Sequence, residues 1–84
     1  PVQIEDMIKV YGSGTDVFVT FNLEEKTDAV LRIYNSVGQL VLSNQLMDVL
    51  NQTYEISIAQ GSGIYIVQVQ AGSVAGSERV WLTR

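Results

Sequence analysis

The sequence predicts an all-β domain, an immunoglobulin-like β-sandwich of about seven antiparallel strands in two sheets. Turn residues punctuate the 84-residue chain at short intervals, as they do in small β domains. The stretches between them alternate apolar and polar residues, the period of a half-buried strand. No long helical pattern interrupts them, and seven short half-buried strands bury their apolar faces best as two packed sheets.

The elements follow in order. Met7 to Tyr11 form a first extended run, ended by Gly12-Ser13-Gly14. Thr15 to Phe21 place Val17, Val19 and Phe21 on one face and Phe18 and Thr20 on the other. Asn22 to Asp28 are a polar connection with room for one helical turn. Ala29 to Asn35 alternate Leu31 and Ile33 against Arg32 and Tyr34, and Gln39 to Gln45 return. In the turn between them, Gly38 is the residue that takes positive φ without strain. Leu46 to Gln52 read either as a short amphipathic helix or as a crossing between sheets. Thr53 to Ile58 turn Tyr54, Ile56 and Ile58 inward. Ile64 to Ala71 set Tyr65, Val67 and Val69 against Ile66, Gln68 and Gln70. Gly72 to Gly76 turn, and Ser77 to Thr83 return with Val80 and Leu82 inward. Phe18 and Trp81 are apolar on nominally outward faces, where they are expected to cover an end of the core.

A chain of this length is one domain, residues 1–84, and buries roughly 60% of the surface its unfolded form exposes. Its hydrophobic share of 46% with a single proline excludes a disordered tail. There is no cysteine, so neither disulfides nor thiolate metal sites can compensate for small size. Net charge is −4, with the basic residues dispersed as Lys9, Lys26, Arg32, Arg79 and Arg84. That leaves no basic stripe for nucleic acid. No apolar run reaches the ~20 residues of a spanning helix, so no membrane insertion is expected. The opening PVQIEDM has neither initiator methionine nor the regions of a signal peptide. Residues 1–7 therefore read as a linker or boundary segment from a larger parent protein.

Catalytic equipment is sparse. The chain has no histidine, which removes the commonest general base and metal ligand, and with it any Ser-His-Asp arrangement. Glu5-Asp6 and Glu24-Glu25 are adjacent in sequence, but glycosidase chemistry needs carboxylates facing across a cleft. Glu24, Glu25 and Asp28 lack the spacing of a calcium loop. Gly12-Ser13-Gly14-Thr15 lacks the lysine and helix of a phosphate loop, and Gly61-Ser62-Gly63 opens a strand rather than a helix. Asn51-Gln52-Thr53 matches a glycosylation sequon by form alone. Trp81 with the tyrosines could stack a sugar, although such residues more often fill cores. The expectation is a domain with no enzymatic activity, no cofactor and no metal, whose last hairpin offers an edge for strand addition or self-association.

Three blocks together resemble a known family: Leu31 to Val41 (LRIYNSVGQLV), Gly63 to Val69 (GIYIVQV) and Arg79 to Arg84 (RVWLTR). The chain is similar, from about Ile8 onward, to the type A C-terminal sorting domain of the type IX (Por) secretion system of Bacteroidetes. The resemblance implies a non-catalytic, immunoglobulin-like signal carried by secreted cargo. It would be recognised by the translocon and shuttle proteins after export to the periplasm. The cargo would be delivered to the outer-membrane cell surface or beyond, where a cell-surface sortase commonly removes the domain. Carried over, the signal motif is Gly63, Tyr65, Val67, Val69, Arg79, Val80, Leu82 and Arg84, and Gly38 is the family's hairpin glycine. The chain departs from the family at its first turn, where Tyr11-Gly12-Ser13-Gly14 replaces a proline-containing sequence. The alternative from the residues is an uncleaved structural or adhesive sandwich that binds a glycan or protein through Trp81.

Overall fold

The computed structural model describes residues 7–58 and 61–83. Within them are β1 (Ile8–Ser13), β2 (Asp16–Phe21), β3 (Thr27–Asn35), β4 (Leu40–Val49), β5 (Thr53–Ser57), β6 (Gly63–Ala71) and β7 (Val74–Leu82). They form one sheet of order β1-β2-β5 and another of order β4-β3-β6-β7, every pairing antiparallel. This is an immunoglobulin-like sandwich with the fourth strand beside the third.

Alternation places the core between the sheets. Val17, Val19 and Phe21 from β2 meet Leu31 and Ile33 from β3 and Val67 and Val69 from β6, all buried. Full burial of such side chains contributes about 1.5–3 kcal/mol each. Ile56, Ile58, Val80 and Leu82 are inward and buried, as their alternation requires. Tyr54 also faces inward, paired with Val19, but on edge strand β5 it is only half-buried. Its ring meets Phe21 edge-on at 5.8 Å.

The hairpin between β3 and β4 turns through Ser36-Val37-Gly38, with Gly38 at φ 88°. Asn35 Oδ1 accepts the amides of Val37 and Gln39 at 3.1 and 2.9 Å. This side-chain turn fixes the three-residue loop that ends in a left-handed glycine.

Several expected boundaries move. Gly12 and Ser13 stay in β1, and the chain turns at Gly14-Thr15. The segment 22–26 contains no helical turn; Asn22 and Leu23 instead donate their amides to Met7 and Leu50 carbonyls at 2.7 and 3.0 Å. The helical alternative for 46–52 is overturned, because Leu46 and Val49 pair with Ala29 and Thr27 of β3. The crossing occupies only residues 50–52, where the Gln52 carbonyl accepts the Phe21 amide at 2.8 Å. The last turn is Gly72-Ser73 alone, so β7 begins at Val74, opposite Ala71.

Phe18 and Trp81 do not cover an end of the core. In-register pairing sets Phe18 beside Tyr11, where the rings stack at 5.1 Å on the outer face of the three-stranded sheet. Trp81 pairs with Ile64 and remains 70% exposed on the outside of the other sheet.

One flank of the sandwich is closed. At Gly12, β1 lies so close to β7 that a Cβ would stand 2.9 Å from the Trp81 carbonyl oxygen. The Thr83 amide donates to the Gly14 carbonyl at 2.8 Å.

Candidate functional site

The register of β6 with its neighbours sorts the motif residues by face. Tyr65, Val67 and Val69 point inward beside Val80 of β7, with Leu82 opposite Gly63, and all five of these side chains are buried. Gly63 opens β6. Arg79 alone among the described motif residues presents a long side chain outward, opposite Ile66. Arg84 lies outside the described residues, as do Glu5 and Asp6.

The outer face of the four-stranded sheet runs in rows across three strands. Tyr34, Ile66 and Arg79 form one row; Arg32, Gln68 and Ser77 the next; Val30, Gln70 and Ala75 a third. Ile64 and Trp81 form a further row beside the first, toward the end of β7. A shallow groove runs over the lower rows, lined by Val30, Arg32, Gln68, Gln70, Ala75 and Ser77. Arg32 and Arg79 are exposed, and neither enters an ion pair with any described residue. Two guanidinium groups flanked by Tyr34 and Trp81 can accept an acidic or planar partner, since arginine pairs with carboxylates and stacks on flat groups.

Tyr65 has a role that sequence reasoning missed. It stands near the start of β6, and its hydroxyl donates to the Gly61 carbonyl at 2.5 Å. This is the tyrosine corner of immunoglobulin-like folds, in which a tyrosine pins the chain a few residues upstream. The spacing Gly61-x-x-x-Tyr65 at the entry to a strand was the available signal.

The outer face of the three-stranded sheet carries a carboxylate pair that the sequence separates widely. Asp16 pairs with Ser57, and the next pair on that face is Phe18 with Glu55; Ser57 Oγ donates to Asp16 Oδ1 at 2.9 Å. Hydrogen bonding to Asp16, then its negative charge, then slight desolvation raise the Glu55 carboxyl above the ordinary carboxylate value. The pair sits on an open sheet face rather than in a cleft. Glu24, Glu25 and Asp28 do not converge either: the described residues contain no group of three or more side chains able to hold a metal ion. Asp28 Oδ1 instead accepts the Asp48 amide at 3.2 Å. Among the described residues no helix is long and apolar enough to cross a membrane.

The prominent feature of the described residues is the exposed, laddered outer face of the four-stranded sheet. The chain belongs to the secretion system C-terminal sorting domain family, whose family model matches residues 9–82. It is thus a type IX secretion C-terminal sorting signal, a class that directs export by interaction with that secretion machinery. A search of curated proteins finds no match.

Proposed function

We propose that this domain directs an attached cargo through the type IX outer-membrane translocon, and that the machinery reads the outer face of β6 and β7. The family match across residues 9–82 carries the reading. The receptor-facing residues are Ile66, Gln68 and Gln70 with Ser77, Arg79 and Trp81 beside them. Tyr65, Val67, Val69, Val80 and Leu82 act from inside, holding that face in shape. Gly63 and Gly38 supply strand entry and turn, and Arg84 adds a cation beyond β7. In transit the domain meets periplasmic shuttle proteins; at the surface a sortase removes it, near or before Pro1.

The test is a fusion of residues 1–84 to a periplasmic reporter in a type IX-competent bacterium. Arg79→Glu with Trp81→Ala alters only outward side chains and is expected to abolish surface delivery while the purified domain keeps its β-sheet circular dichroism. Delivery that survives this double change, or survives removal of residues 77–84, overturns the reading.

The exposure of Trp81 favours a second reading, an uncleaved adhesive module that stacks a sugar or a protein group on the indole. It predicts binding on a glycan array that Trp81→Ala removes; silence of the wild-type domain counts against its sugar-binding form.

A further inference from the structure

The flank opposite the β1–β7 closure is open. The wider sheet ends there in β4 and the narrower one in β5. Leu42, Asn44 and Leu46 share the core-side face with buried Ile33, Leu31 and Ala29. Yet Leu42 and Leu46 are only half-buried and Asn44 is exposed. Among the described residues, the outer backbone edge of β4 pairs with no strand.

This edge lacks several of the devices that usually blunt one. Exposed edges are protected by lysine, proline, inward charge, shortness or bulges; β4 spans 10 residues, carries neither proline nor charge from Leu40 through Met47, and is irregular against β3 only outside Leu42–Leu46. Its regular run against β3 is Leu42–Leu46, and Asp48 beyond that run takes φ 53°. The net charge of −4 lies elsewhere, so two β4 edges can approach without side-chain repulsion along the strand.

We propose that two copies of this domain pair antiparallel through β4 about a two-fold axis at Asn44, joining their wider sheets into one. The strand sequence is self-complementary about that residue. Within the regular run, Leu42 falls opposite Leu46 of the second copy, Ser43 opposite Gln45, and Asn44 opposite itself. The two Leu42–Leu46 pairs lie on the core side and cover the apolar surface that β5 leaves half-open. A slip by two residues in either direction, which keeps the faces matched, sets Leu42 or Leu46 against Asn44. The hydrophobic pattern therefore selects a single register, and the contact is isologous and closed. The occupant is a second copy because the pattern matches itself. This inference does not depend on the sorting function.

The experiment uses the 84-residue chain. Light scattering over a concentration series is expected to show mass doubling as concentration rises. The chain has no native cysteine, so Asn44→Cys reports the axis directly. Facing Cα atoms in an antiparallel ladder are about 4.5–5.5 Å apart, within disulfide range, so a covalent dimer forms on oxidation. Ser43→Cys places its two copies diagonally, about 7–8 Å apart, beyond that range, and does not cross-link. Ser43→Lys with Gln45→Lys opposes like charges twice and abolishes the dimer; Ser43→Lys with Gln45→Glu opposes unlike charges and restores it. All three positions are exposed, and circular dichroism checks that each variant keeps its sheet. A chain that stays monomeric at every concentration with no Asn44→Cys cross-link overturns the proposal and leaves the edge to a strand from another protein. A dimer indifferent to the lysine pair, or equal cross-linking at position 43, overturns it too.

Discussion

At the scale of single residues, the outer face of the three-stranded sheet holds a carboxyl whose titration its neighbour perturbs. Asp16 raises the Glu55 carboxyl by hydrogen bonding and by its charge. The folded state therefore holds the Glu55 proton to higher pH than the unfolded chain does. Protonation favours folding across that interval, so this contribution to stability falls as pH rises from the ordinary carboxylate value through the raised one, then levels off. Glu55→Gln removes the titration. Urea unfolding followed from about pH 4, near the ordinary carboxylate value, upward should show a steeper loss of stability for the wild type than for the variant. Equal slopes would refute the coupling.

At the scale of elements, the β5–β6 corner and the β6–β7 hairpin carry most of the consequence. Tyr65 contributes a buried ring to the core and a hydroxyl to the Gly61 carbonyl. Tyr65→Phe keeps the ring and deletes the bond. The expected loss is about 0.5–1.5 kcal/mol, the net worth of one such hydrogen bond. It would be read as a lower urea midpoint with an unchanged slope, because the surface exposed on unfolding stays the same. A midpoint equal to the wild type's would show that the corner does not hold the chain. The same hairpin divides the family motif by face, so the inward residues and Arg79 belong to one element yet serve it differently.

For the whole molecule, the close approach of β1 to β7 joins the two sheets along one flank. Gly12→Ala would bring a methyl to 2.9 Å from the Trp81 carbonyl oxygen and 3.0 Å from Leu82 Cδ2. A backbone carbonyl yields little, so one sheet edge must shift. Overpacking of this kind costs about 1–3 kcal/mol. Gly61→Ala is the matched control, since nothing stands within 4 Å of a Cβ there. Thermal unfolding should separate the two variants clearly; similar melting temperatures would mean that the flank is looser than the contact implies. Gly12 stands where the family resemblance implies a proline-containing turn. In this chain that stretch continues the strand through Ser13 and seats it against β7.

The period-two alternation determined the strands and their inward residues, because alternation is a local property of an extended chain with one face buried. Val17, Val19, Leu31, Ile33, Val67 and Val80 could be assigned inward from the sequence alone for that reason. The left-handed turn at Gly38 was legible too, since its cause lies within the turn itself. What depended on pairing was not legible. Residues 46–49 fit a helix or a crossing between sheets until β3 supplied their partners and made them strand. Trp81 and Phe18 fit a core end until register put one in solvent and the other under Tyr11. The rows that bring Arg32, Gln68 and Ser77 together, the Asp16–Glu55 pair and the contact of Gly12 with β7 join residues remote in sequence. Local chemistry decides which face of each strand is buried. Only the tertiary register decides which side chains stand next to one another on the face left outside, because nothing within a strand specifies its neighbour's alignment.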